Sequence, residues 1–338
     1  MSGRLGEAMN KRRKILVALG ASALAVPFGV IAQQQGKVWR IGFLWESGQS
    51  DLDSVQKYEA FKAGMFALGY VEGKNIAFEH RSAQNDPARL SPLAAELLAA
   101  KVDLIVSTGT PSAEAARKLT RELPILITTA GNPVGSGLAA SLRRPGGNVT
   151  GMTNLASDLY TKRLDLLRQT LPRMRHVGFL YNPRNSSDML GLKQFESQCK
   201  SLGLQAIRAP VLGEQEISVA FQNLKRNKAE GLLVTSDAII TSWRKSIIEN
   251  AAKYRLPAVY GTGIMTSSGG LMAYSANRED LYRRAAAYAD KIFKGAKPGD
   301  LPIEQPNKFE MVINLKTAKA LGIKIPDIVM LRAEKVIE

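Results

Sequence analysis

Val102-Asp-Leu-Ile-Val-Ser-Thr-Gly-Thr-Pro-Ser112, with Ala113 to Leu119 and then Pro124-Ile-Leu-Ile-Thr-Thr129 behind it, decides the fold class. Val102–Ser107 is a short, largely apolar and β-branched run, the pattern of a buried strand. A hydroxyl-rich loop follows, and Ser112–Leu119 reads as a helix. Pro124–Thr129 is again a strand. Two strands joined through a helix run parallel, because the crossover returns the chain to the same edge. Such crossovers are right-handed by default.

The same rhythm extends outward in both directions. Upstream, Val38–Trp45 reads as a strand, and Tyr58, Phe61, Met65 and Leu68 recur at helical spacing up to Gly69, a C-terminal stop. Ile76–Glu79 is a second strand. Asp86-Pro87 supplies a cap and a first-turn proline for a helix carrying Leu90, Leu93, Leu97 and Leu98. Downstream, helices are marked by Tyr160, Leu164, Leu167 and Leu171, by Leu192, Phe195, Cys199 and Leu202, by Ile217, Phe221 and Leu224, and by Trp243, Ile247, Ala251 and Tyr254. Strands Val177–Tyr181, Leu204–Pro210, Gly231–Ser236 and Pro257–Tyr260 alternate with them. Asp280–Phe293 is a further helix, and Glu310–Ile313 with Thr317–Leu321 closes the series. Turn formers at 144–148 and 267–270 punctuate the chain. The expected class is α/β, with two doubly wound parallel-sheet lobes.

The 338 residues are 45% apolar and 22% charged, which is globular and ample for about two domains. Two His and a single Cys argue against a His/Cys metal cluster, a disulfide framework or an iron–sulfur site. Cys199 lies in a core stripe, so a structural thiol is expected. The net charge of +16 is spread along the chain among acids, which reads as a basic surface and gives no nucleic-acid footprint. Lys11-Arg12-Arg13-Lys14 precedes an uncharged apolar or small run from Ile15 to Ala32. That pattern predicts a secretory signal over residues 1–32 and an exported protein. Residue 32 has no Cys beside it, which disfavours a lipid anchor.

Catalytic patterns are scarce. Gly69-Tyr-Val-Glu-Gly-Lys-Asn75 has three residues between its glycines where a phosphate loop has four, and it follows a helix, so it reads as a turn. No Gly-x-Ser-x-Gly elbow occurs. His80 and His176 stand without a neighbouring nucleophile. No catalytic residue, cofactor or metal is expected, and the chain is not expected to be an enzyme.

Open parallel sheets bind ligands beyond the carboxyl ends of their strands. Six loops occupy that edge: Glu46-Ser47-Gly48, Ser107 to Ser112, Thr128 to Pro133, Tyr181-Asn182-Pro183, Thr235-Ser236-Asp237 and Tyr260-Gly261-Thr262. The candidate ligand-binding residues are Trp45, Glu46, Ser107, Thr108, Thr110, Ser112, Thr128, Thr129, Tyr181, Asn182, Ser236, Asp237 and Tyr260. The helix start at Thr110-Pro111-Ser112 presents free N–H groups suited to a carboxylate, and Asp237 suits an ammonium group. The plainer alternative is that these hydroxyls are helix caps and that the aromatics at strand ends are core.

The chain resembles the substrate-binding proteins of ABC transporters, in the family that includes tryptophan- and tyrosine-binding lipoproteins. The resemblance is carried by Arg40-Ile-Gly-Phe-Leu44, Leu68-Gly-Tyr-Val-Glu-Gly-Lys-Asn-Ile76, Leu142-Arg-Arg-Pro-Gly-Gly-Asn-Val-Thr-Gly151, Lys162-Arg-Leu-Asp-Leu-Leu167 and Gly270-Leu-Met-Ala-Tyr274. Leu301-Pro-Ile-Glu-Gln-Pro306 and Phe309-Glu-Met-Val-Ile-Asn-Leu-Lys-Thr-Ala-Lys-Ala-Leu-Gly322 complete it. It implies a type I periplasmic binding protein: two lobes joined by three hinge crossovers, lobe 1 from 33–152 plus 275–302 and lobe 2 from 153–274 plus 303–338. It further implies a small polar solute, an amino acid (an aromatic one first) or a related carboxylate, delivered to a membrane permease with its cytoplasmic ATPase. The protein is expected to be a monomer. In that fold Ser107, Thr108, Thr110, Ser112 and Thr128 match the donor positions of lobe 1, and Asp237 matches the acid of lobe 2. The alternative on the same scaffold is a ligand-sensing receptor working with a sensor kinase or chemoreceptor.

Overall fold

The computed structural model describes residues 37–338. The expected secretory signal at 1–32 lies outside the described residues. Two sheets form the frame. The first contains β1 (Trp39–Trp45), β2 (Ile76–Ser82), β3 (Leu104–Ser107), β4 (Ile125–Ala130) and β5 (Val149–Thr153), all parallel, in the order β2-β1-β3-β4-β5. Helices α1 (Leu52–Ala67), α2 (Leu90–Ala99) and α3 (Thr110–Leu119) are its crossovers.

The second sheet contains β6 (His176–Tyr181), β7 (Gln205–Pro210), β8 (Gly231–Val234), β9 (Ala258–Tyr260), β10 (Met272–Ala276), β11 (Phe309–Asn314) and β12 (Lys335–Ile337). Their order is β12-β11-β10-β9-β8-β6-β7. Its helices are α4 (Ala156–Thr170), α5 (Ser186–Ser201), α6 (Ile217–Arg226), α7 (Ala238–Ser242), α8 (Arg244–Lys253) and α9 (Gly263–Ser267). After β10 the chain crosses back, and α10 (Arg278–Phe293) packs on α1 and the first sheet. The terminal α11 (Leu315–Leu321) and α12 (Asp327–Met330) flank β12.

Each sheet buries both faces, as parallel sheets do. Leu104 and Val106 pack with Phe43, Phe61 and Tyr282 on one face of the first sheet, while Ile105 joins Leu44, Leu97 and Ala116 on the other. In the second sheet Val177 and Phe179 face Leu164, Phe195 and Cys199, and Leu180 faces Phe221 and Leu232. The strand period of two divides every apolar run in this way. Cys199 is fully buried, and burial pushes its thiol up to about 12, so it is an inert core group.

The expected layout needs several corrections. The second strand runs on to Ser82. The helix expected around Trp243 is two helices, α7 and α8, with Trp243 at the joint. Strands β5, β10 and β12 and helices α9 and α12 are additional. β5 is short and carries Gly151 at φ +130°, so it offers little periodicity. One strand pair is antiparallel. Ala276, the end of β10, pairs with Phe309, the start of β11. The chain leaves for lobe 1 and returns at the same end of the sheet, so β11 has to run back alongside β10.

Candidate functional site

Loops from the carboxyl ends of both sheets meet around one cavity. From lobe 1 its wall is made by Glu46 after β1, Thr108, Gly109 and Thr110 after β3, and Thr129 and Gly131 at the end of β4; Asn154 and Ala156 follow β5 at the crossover into lobe 2. From lobe 2 come Asn185, Ser187 and Asp188 at the start of α5 and Ser236, Asp237 and Ala238 after β8. Arg278, at the hinge where α10 begins, completes it. The space left between the walls is about 20 Å³, room for about one water and far below the size of an ordinary ligand pocket.

The two lobes are drawn together around it. Ser186 donates to Glu114, and the Ser242 hydroxyl donates to Asn85 Oδ1 at 2.9 Å. Arg244 reaches Asp51 at 2.7 Å. Gly131 permits the closest approach. A Cβ there would stand 2.1 Å from Ser187 Oγ, so only hydrogen fits between β4 and the α5 start.

The carboxyl groups have distinct tasks. Glu46 Oε1 accepts from the Ser112 amide at 3.0 Å and from the Ser112 hydroxyl at 2.8 Å. It thereby occupies the N-terminus of α3, a favourable seat for an anion. Gly109 admits it: a Cβ at that position would be 2.5 Å from Glu46 Oε1. Asp237 Oδ1 caps α7 by accepting from the Ile239 and Ile240 amides at 2.9 Å each. Asp237 Oδ2 accepts from Asn185 at 2.8 Å and Asn182 at 3.3 Å. Asp188 Oδ2 accepts from the Asn182 amide at 3.0 Å and the Thr235 hydroxyl at 2.8 Å.

Burial beside other carboxyl groups raises the proton affinity of Glu46 and Asp188. Burial, then the charge of Asp237, pushes Glu46 up to about 7 against the pull of Ser112 and Lys57. Burial and Asp237 also raise Asp188 well above the ordinary carboxyl range. Behind the wall, Lys57 bonds Asp53 at 2.6 Å and Arg278 bonds the same oxygen at 3.3 Å. Burial opposes ionisation of Asp53, yet these two cations hold it down at about 2.

Of the expected site residues, Glu46, Thr108, Thr110, Thr129, Ser236 and Asp237 line the cavity. Ser107 and Ser112 lie just behind it. The Ser107 hydroxyl donates to Gly109 O at 2.7 Å and meets Ser112 Oγ at 2.9 Å. Thr128 donates to Ser107 O at 2.9 Å, and Asn182 supports Asp237. Trp45 is elsewhere, stacked with Phe43 and bonded through Nε1 to His80. Tyr181 and Tyr260 are packed in the two cores of lobe 2. The α3 start is not open to a ligand carboxylate, because Glu46 fills it.

Asn154, Asn185, Ser187, Asp188 and Arg278 are further wall residues. Asn185-Ser-Ser-Asp188 has the spacing of a helix cap with an acid in the first turn, and the loop after β6 extends through it. Two of these side chains have unused capacity: Ser187 Oγ and Arg278 Nε are buried without a hydrogen-bond partner.

Residues 51–337 match the family described as ABC transporter substrate binding protein. The tyrosine-binding protein of Clostridioides difficile is 29% identical over 273 residues, 81% of this chain and 78% of the relative. A Streptococcus pneumonia ABC domain solved in complex with L-Trp superposes with TM-score 0.81 at 25% identity, covering 88% of this chain and 99% of that one. The ligand-free, open structure of a substrate binding protein from Clostridium difficile gives only 0.63 at 26% identity, covering 89% and 99%. In this chain the contacts across the cleft hold the two lobes together. More remote neighbours, among them an R. palustris solute binding protein in complex with benzoate at 13% identity and TM-score 0.55, share the fold of type I periplasmic binding proteins. Fold, cleft and sequence converge, and the chain belongs to the ABC transporter substrate binding protein family.

Proposed function

We propose that this protein is the periplasmic solute-binding component of an ABC importer, which captures a small polar solute bearing an ammonium group between its lobes and delivers it to the permease and its ATPase. Lobe 1 is assigned 33–152 plus 275–302 and lobe 2 153–274 plus 303–338, with a secretory signal at 1–32, and the working form is a monomer. Substrate-binding proteins of ABC importers are periplasmic or extracellular. Among the described residues no helix is long and apolar enough to cross a membrane.

The observation that carries the reading is the convergence of Glu46, Asp188 and Asp237, from both lobes, on one closed cavity. A cation between them offsets their mutual repulsion and is bound only when the lobes meet, so capture and closure are one event. No covalent step is involved. Amino acids are the first solutes to consider, since the relatives named above bind tyrosine or L-Trp; the cavity wall of this chain contains no aromatic ring.

A thermal-shift screen of the purified protein against amino acids, amines, sugars, purines and organic acids tests the reading. A true ligand at a hundredfold excess over its Kd adds about 2.7 kcal/mol of stability, a rise of several degrees. Chemical turnover of any of these compounds, or no shift across the whole panel, overturns it.

A further inference from the structure

The α3 start is the place in the cleft where an amino acid's carboxylate would find free N–H groups, and Glu46 is already seated there. The seat is built for it. Both the amide and the hydroxyl of Ser112 donate to Glu46 Oε1, and Gly109 withholds the one carbon that would displace it. The α7 start is likewise taken by Asp237 Oδ1. Arg278 is the single cation on the wall, and Asp53 already accepts from it. One guanidinium facing three carboxyl groups leaves the wall acidic, so a second anionic group brought in by the ligand meets net repulsion, with only the unpartnered Arg278 Nε left to receive it.

We propose that Glu46 is a resident substitute for the ligand's carboxylate, and that the cleft therefore selects primary amines over the α-amino acids that correspond to them. The proposal rests on the capture reading above and narrows its substrate class to organic cations with an ammonium head. Asp188 and Asp237 of lobe 2 and Glu46 of lobe 1 surround that head, and the partnerless Ser187 hydroxyl accepts its remaining proton. Burial and Asp237 hold Glu46 partly protonated near neutral pH, while Ser112 and Lys57 pull the other way and Asp188 and Arg278 face the same space. Capture of a cation therefore expels a proton, and amine affinity rises between pH 6 and pH 8.

Matched pairs that differ only in the carboxylate give the test: tyramine and tyrosine, tryptamine and tryptophan, putrescine and ornithine, each titrated calorimetrically into the full-length protein. The amine of at least one pair binds, at least tenfold more tightly than its amino acid. Glu46→Ala vacates the helix start and reduces that preference at least tenfold. Gly109→Ala, which displaces Glu46 without removing its charge, moves the preference in the same direction and serves if Glu46→Ala fails to fold. An amino acid that binds as tightly as its amine, or a preference unchanged in both variants, overturns the inference and leaves the capture reading standing. Silence from every pair also overturns it, and the broader panel then decides the capture reading separately.

Discussion

The two walls of the cleft look alike in sequence and differ in chemistry. Lobe 1 contributes a run of hydroxyls, and most of them are spent on the protein's own backbone. Thr108 donates to Leu44 O, Thr128 to Ser107 O, and Thr129 to Thr108 O. Thr110 Oγ1 accepts from the Gly131 amide. They tie neighbouring strand ends together where the ladder stops. Lobe 2 contributes two buried carboxyl groups, Asp188 and Asp237, and a Ser187 hydroxyl with capacity to spare. A hydroxyl at a strand end is cheaply satisfied by a nearby carbonyl, whereas a buried carboxylate is costly unless something cationic answers it. On the proposed reading recognition falls to the acids, while the hydroxyls of lobe 1 hold the frame.

The sharpest way to break this contrast is Asp237→Asn. The amide keeps an oxygen to cap α7 but removes the charge, and loss of one partner from a buried charge pair costs about 2–5 kcal/mol of binding. Calorimetry with whichever ligand the screen returns measures it. An unchanged affinity would move recognition away from lobe 2.

The next effect is a pH dependence. The carboxyl of Glu46 is raised from 4.5 to about 7 in the folded chain, so between those values the folded state holds a proton that the unfolded state has released. Stability of the ligand-free protein accordingly falls as pH rises through that window, by up to about 1.4 kcal/mol per pH unit for one such group. Asp53, held at about 2, acts in a different range: its contribution is lost as pH falls below its ordinary 3.8. Melting curves from pH 2 to 7.5 for the wild type and Glu46→Gln separate the two, because the variant has the shallower slope in the upper window only. Identical slopes would remove Glu46 from the account.

Gly131→Ala comes third. Its methyl group collides with Ser187 in the closed form only, so affinity drops by the strain of overpacking, about 1–3 kcal/mol. Small-angle scattering with saturating ligand reads the wider lobe angle. Full closure would mean that the α5 start gives way. The smallest effect is expected from Thr128→Val, which loses one hydrogen bond to Ser107 O. It costs about 0.5–1.5 kcal/mol of stability and leaves affinity within twofold. Greater loss in binding than in melting would return lobe 1 hydroxyls to the recognition surface.

The alternation of strands and helices was legible because each lobe repeats one simple unit with strong periodicity. The parts that escaped are those where periodicity is short or interrupted: β5 with Gly151, β10 directly after Gly269-Gly270, and the break at Trp243. The strand-end rule was enough to bring Glu46, Thr108, Thr110, Thr129, Ser236 and Asp237 to one cavity. It misplaced Trp45, Tyr181 and Tyr260, although a readable signal existed. Trp45 follows Ile41 and Phe43 at alternate positions, and Tyr181 follows Val177 and Phe179, so each aromatic had to face the same covering helices as its predecessors. Asp188 and Arg278 look like ordinary first-turn charges along the chain. Only the tertiary arrangement turns one toward Asp237 and sets the other beside Asp53.

The absence of a single carbon at position 131 has a wider consequence. Surfaces that mate with no slack behave as a gauge: the halves either seat fully or stand apart, with little ground between. A transport partner that probes only the outer shape would then receive a yes-or-no report of occupancy, written in the outline of the whole molecule by the width of one methyl group.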